Sequence, residues 1–128
     1  MVDRKSFEKI EVWNDARKLA KEVFNITQSN LMKGQFFLQD QMKRGALSIM
    51  ANIAEGFERD GNKELIQFLS VAKGSAGELR SHLVAGYDMG LMTPGDFKNL
   101  YDMADRISRQ LSGLMKYLKK TGMKGRKY

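Results

Sequence analysis

Within Gln41–Gly56 the polar residues Gln41, Arg44, Ser48, Asn52 and Glu55 fall at steps of three, four, four and three. On an α-helix that spacing puts a guanidinium, a hydroxyl, two amides and a carboxylate on one narrow stripe. An apolar stripe of Leu38, Met42, Ala46, Ile49, Ile53 and Phe57 runs beside it, and Leu47, Met50, Ala51 and Ala54 make the third side small or apolar. A helix that is apolar nearly all round is normally buried. The polar stripe is therefore expected to face inward, where each group needs a partner. Two roles are open to it: a ligand or active site between helices, or an architectural network that fixes register. A fully paired network is usually architectural, and the chemistry favours that reading. The set holds one arginine and two carboxylates (Glu55, and Glu78 on the next helix) whose expected partners are not each other.

Other candidate chemistry is thin. The sole histidine, His82, follows Glu78 by four residues, but one such pair is not a metal site. Di-iron bundles need several carboxylates and two Glu-x-x-His motifs. The segment Gly56–Lys63, GFERDGNK, has a superficial likeness to a phosphate loop. Its lysine is displaced by one, no Ser or Thr follows, and no strand precedes it, so it reads as a helix end and turn. The absence of cysteine excludes disulfides, zinc fingers and thiol catalysis, and is compatible with a reducing cytoplasm. The expectation is a non-enzymatic protein with no metal, cofactor or small-molecule substrate.

The elements that position these residues are helices. Apolar periodicity predicts helices over about 8–29, 35–59, 62–90 and from Thr93 onward. The first buries Val12, Ala16, Leu19, Val23 and Ile26, widened by Trp13, Ala20 and Phe24. The third buries Leu65, Phe68, Leu69, Ala72, Ala76, Leu79, Leu83 and Tyr87. The fourth buries Phe97, Leu100, Met103, Ala104, Ile107, Leu111, Leu114 and Leu118. Asp60-Gly61-Asn62 is a turn signal, with Asn62 expected to cap the third helix. Thr93-Pro94-Gly95-Asp96 combines an N-cap, a first-position proline and a first-turn aspartate. Neither two-residue alternation nor an internal repeat is present. The expected fold is all-α, an antiparallel up-down-up-down four-helix bundle over residues 1–120. Gly122 and Gly125 break the helical pattern, so residues 121–128 are expected to be a mobile basic tail. A chain of 128 residues is one domain by default and can bury about two-thirds of its unfolded surface. No apolar run reaches the ~18 residues of a membrane span, and no signal peptide is recognisable.

Folding the second and third helices as a hairpin about Gly61 sets Arg44 opposite Glu78, Ser48 opposite Gly74 and Ser75, and Asn52 opposite Ser70. Glu55 then faces Gln67, and Gln41 faces Ser81. Gly74 and Gly77 each cost the helix about 1 kcal/mol relative to alanine, for which close backbone approach is the simplest compensation.

The net charge of +7 is unevenly placed. Lys116, Lys119, Lys120, Lys124, Arg126 and Lys127 follow one another without an acidic residue, leaving sixteen basic against fifteen acidic residues in the remainder. Arg106 and Arg109 extend this patch, and Asp102 and Asp105 dilute it. It is either a nucleic-acid surface or a solubilising terminus, since charge alone supports only non-specific contacts. Without a recognition helix, zinc finger or stacking-aromatic motif, little sequence specificity is expected. Apolar side chains left outside the core, such as Leu47, Met50, Ile66 and Val84, favour association, of the chain with itself first.

The pattern Q-x-x-R-x-x-x-S-I-x-x-N-I-A-E-G over Gln41–Gly56, followed by A-x-G-S-x-x-E over Ala72–Glu78, resembles the 23S-rRNA-intervening-sequence protein family, whose members are also described as ribosomal-type proteins. Trp13 and Ala16 fit that pattern, and the resemblance spans about residues 8–118. It implies a cytoplasmic bacterial four-helix bundle, often a ring-shaped homopentamer, some members being encoded within insertions in large-subunit rRNA genes. More distantly the chain resembles the accessory proteins of diversity-generating retroelements, similar pentamers that bind nucleic acid. The partners implied are other copies of the chain and then RNA or DNA. The chain departs from the pattern in lacking Phe-Pro in the first turn, and in carrying Gly45 where a small side chain is usual.

Overall fold

The computed structural model describes residues 7–125, with side chains as far as Thr121. Four helices follow one another: α1 (Glu11–Thr27), α2 (Phe36–Glu58), α3 (Asn62–Asp88) and α4 (Pro94–Gly125). Short 3-10 turns at Phe7–Lys9 and Asn30–Met32 precede α1 and α2. The described residues contain no strand.

The turns follow from the residues in them. Gly34, Gly61 and Gly90 carry positive φ angles of 83°, 89° and 75°, where a side chain is disfavoured. At the end of α3, Gly90 N–H donates to Tyr87 O and Leu91 N–H to Gly86 O, the paired bonds of a Schellman motif closed by a left-handed glycine. Thr93 caps α4, its Oγ1 accepting from Asp96 N–H at 3.1 Å. Asn62 does not cap α3: Gly61 holds the N-cap position without a side-chain bond, and Asn62 is the first helical residue. The fourth helix continues through Gly122 to Gly125, past the expected break.

Contacts between helices set their directions. Pairing of Gly45 with Leu79, and of Gly56 with Leu65, makes α2 and α3 antiparallel. Stacking of Tyr87 on Phe97, together with the Arg80–Asp105 ion pair, does the same for α3 and α4. Helix α1 packs on both α2 and α4, and Gln110 Nε2 donates to Asp15 Oδ2 at 2.9 Å across the α1–α4 seam. The core between the four helices is made of the expected stripes: Leu19, Val23, Ile49, Ile53, Leu69, Leu83, Leu100 and Leu111 are inaccessible to solvent. Burying one such side chain contributes about 1.5–3 kcal/mol. Tyr87 and Phe68 are the exceptions on α3: Tyr87 lies at the rim against Phe97, and Phe68 is half-buried beneath the Arg59 guanidinium.

Candidate nucleic-acid interface

The polar stripe of α2 does not form a buried seam. Arg44 has three-quarters of its side chain exposed and binds Asp40 one turn back, Nε to Oδ2 at 2.7 Å, in place of Glu78. That hydrogen bond, and then the charge of Asp40, raise the pKa of Arg44 above its ordinary value. Glu78 is exposed. Glu55 pairs with Arg59, the residue just past the end of its own helix, at 2.9 Å, not with Gln67. Gln41 is half-buried, and the Ser81 expected opposite it is exposed. One expected pairing of the stripe does form. Ser48 Oγ and Ser75 Oγ are 2.9 Å apart. Asn52, expected to face Ser70, instead donates to Ser48 O and Ser48 Oγ. The physical reason is helix α2 itself. Its apolar third side is not a second buried face, since Leu47 is 48% exposed and Ala51 lies on the surface. Arg44 and Glu55 therefore reach water and bond locally, Arg44 within α2 and Glu55 to the residue that caps that helix.

The glycines behave differently from expectation as well. A Cβ on Gly74 would meet nothing within 4 Å, and one on Gly77 only the Arg80 guanidinium at 3.6 Å. The close approach of α2 to α3 occurs at Gly56, where a Cβ would lie 3.0 Å from Phe68 Cβ and 3.3 Å from Leu65 O.

The chemistry of the described surface concentrates between α3 and α4. A groove of about 480 Å³ is lined by Lys73 and Arg80 from α3, and by Arg109 and Lys116 from α4. Asp105 is the single carboxylate among them, and Ser108, Ser112 and Gly113 complete the lining. Each helix places two cations seven residues apart, which is two turns and therefore the same face. Asp105 ties the helices together: its Oδ1 lies 3.4 Å from Arg80 Nη1 and its Oδ2 3.0 Å from Arg109 Nε. The Arg80 guanidinium also sits 5.8 Å from the Tyr101 ring centroid, and its Nε is buried without a hydrogen-bond partner.

Of the residues expected to contact nucleic acid, the structure brings Arg109 and Lys116 together in this groove. Arg106 is exposed on α4 outside it, and Lys119 and Lys120 are exposed on the same helix further along. Lys124 lies in α4 beyond the described side chains, and Arg126 and Lys127 lie outside the described residues. Asp102 is drawn off by Lys98 at 2.9 Å, so it dilutes the patch less than its place in the sequence suggests. Lys73 and Arg80 were not recognised from the sequence. Their signal was a seven-residue interval matching that of Arg109 and Lys116 on the helix that follows. Among the described residues no group of three or more His, Cys, Asp or Glu is arranged to hold a metal ion, and no helix is long and apolar enough to cross a membrane.

Comparison with known proteins yields a fold and a family. A crystal structure from Bacteroides thetaiotaomicron, of a protein of unknown function from the S23 ribosomal protein family, superposes with a TM-score of 0.77. The two are 21% identical over 82% of this chain and 98% of that one, which carries the fold alone. No curated protein matches the sequence. The sequence pattern of one family matches residues 8–113, taking in the α2–α3 hairpin and most of the groove. By that match the chain belongs to the 23S rRNA-intervening sequence protein family.

Proposed function

We propose that the chain is a non-enzymatic, self-assembling bundle protein of the cytoplasm that associates with nucleic acid, rRNA included, through the basic surface of α3 and α4. The observation that carries this reading is the groove, with four cations against one carboxylate. Lys119 and Lys120 prolong that surface along α4, and Lys124, Arg126 and Lys127 follow in the sequence. Such a surface suits backbone phosphates, whose recognition is largely independent of base sequence. Self-assembly is supported by the exposed Leu47 and Val71 on the α2–α3 side. The homopentameric ring implied by the family resemblance would multiply weak sites and add avidity.

A second reading, a protein-binding scaffold without nucleic acid, is favoured by Phe36 and Phe37. These are 74% and 78% exposed at the start of α2.

Size-exclusion chromatography with light scattering, followed by RNA and DNA titrations across salt, tests the first reading. The expected result is a multimer at micromolar concentration and a log–log salt slope near −0.9 per neutralised phosphate on duplex DNA. Truncation after Leu118 should flatten that slope. A monomer rejects the ring, and absent binding at low salt leaves the scaffold.

A further inference from the structure

Deepening the nucleic-acid reading, on which it rests, we propose that the α3–α4 groove is a phosphate seat in which Asp105 is the resident anion. Arg80 and Arg109 approach different oxygens of Asp105, so one carboxylate bridges two guanidiniums from two helices. A phosphate offers oxygens to arginines in the same manner. The clasp is incomplete on the Arg80 side. Its 3.4 Å separation is long for a charge-assisted bond, and the partnerless Arg80 Nε leaves donor capacity unused. Arg80 is nevertheless positioned, its guanidinium lying by the Tyr101 ring, 5.8 Å from the centroid, and tied to α4 through Asp105. The hydroxyls of Ser108 and Ser112, one turn apart, add donors beside the arginines.

The geometry also selects the kind of phosphate. Lys73 and Lys116 stand two turns, about 10 Å, along their helices from Arg80 and Arg109. The groove thus has a cation pair toward each end, which suits two phosphates of one strand. No aromatic ring is among its lining residues on which a base would stack. Asp105 opposes entry by its charge, so an arriving phosphate takes over the two arginines against a like charge.

The test uses the full chain, a short single-stranded oligonucleotide and inorganic pyrophosphate. Asp105→Asn removes the resident charge. Gly113→Glu inserts one at a position where a Cβ meets nothing within 4 Å and where a helix prefers glutamate to glycine. Fluorescence anisotropy should show several-fold tighter oligonucleotide binding by D105N. It should show about tenfold weaker binding by G113E, with a salt slope shallower by about 0.7 for each phosphate of the single strand that is no longer neutralised. If Asp105 only braces the helices, D105N binds no better than the parent and the seat is refuted. Oligonucleotide binding that neither variant changes also refutes the seat, while leaving the nucleic-acid reading in place. If the oligonucleotide does not bind but pyrophosphate shifts the amide resonances of Ser108, Ser112 and Gly113, the seat stands with free phosphate as its occupant and the nucleic-acid reading falls. If neither probe binds, both fall.

Discussion

Ser48 Oγ on α2 lies 2.9 Å from Ser75 Oγ on α3, with Asn52 Nδ2 donating to the same Ser48 hydroxyl at 3.1 Å and to Ser48 O at 2.8 Å. All three residues are partly buried. The hydroxyl pair is the polar link that the α2 stripe makes to α3. It sits against the closely packed α2–α3 seam, so loss of one hydroxyl leaves its partner with fewer choices.

Ser48→Ala should therefore destabilise the bundle by about 1 kcal/mol, the usual net worth of one intramolecular hydrogen bond, and Ser75→Ala by a similar amount. The double mutant should fall short of the sum by at least about 0.5 kcal/mol, as residues in one network are coupled. Urea denaturation of the four proteins measures this. Strict additivity would show that each hydroxyl is satisfied independently of the other.

Arg44→Ala should leave the urea midpoint at the parent value. The Arg44 guanidinium is exposed and bound to Asp40 within one helix, and exposed i,i+4 pairs contribute little. A large loss of stability would place Arg44 at a buried contact, such as one between copies of the chain. Repeating the titration at two protein concentrations separates the two cases, since only an assembled contact gives a concentration-dependent midpoint.

This contrast shows what the residue pattern conveys and what it omits. The helices and their stripes were legible because apolar periodicity sustained over 17 residues or more admits few alternatives. The hairpin register was legible too: placing Ser48 opposite Ser75 required only the turn at Gly61. What the pattern could not convey was how deep each polar residue lies. Arg44 and Ser48 share a stripe, yet one step around α2 separates water from the seam, and a long arginine also finds Asp40 locally. The groove was half legible for a related reason. Arg109 and Lys116 stood out within a charge-rich terminus, whereas Lys73 and Arg80 lie in a segment of balanced charge. Their proximity to α4 is a tertiary fact. Gly74 and Gly77 misled because a glycine signals missing bulk equally well at a helix contact or at an open surface.

Thr93→Ala should cost about 1 kcal/mol, the typical loss on removing an N-cap hydroxyl, because Thr93 Oγ1 accepts from Asp96 N–H at the start of the longest helix. Thr93→Ser should retain most of that stability by keeping the acceptor. Thermal melts of the two variants distinguish capping from packing: equal losses in both would point to the threonine methyl instead.

Gly45 and Gly56 lie on the same helix against the same neighbour, yet alanine should have opposite effects at the two. Both substitutions gain about 1 kcal/mol of helix propensity. At Gly45 the new Cβ would meet Leu79 Cβ at 3.7 Å, an ordinary contact, so Gly45→Ala should stabilise by about 0.5–1 kcal/mol. At Gly56 it would lie 3.0 Å from Leu65 Cδ1 and from Phe68 Cβ, and 3.3 Å from Leu65 O. The leucine methyl can rotate away, but Phe68 Cβ and the carbonyl move only with α3. Relief requires the two helices to part where Phe57 and Leu65 are buried. Overpacking of that kind costs about 1–3 kcal/mol, which equals or exceeds the propensity gain. Parallel urea titrations should move the midpoint up for Gly45→Ala and down for Gly56→Ala. A rise in both would mean that the α2–α3 contact at Gly56 is looser than these distances imply.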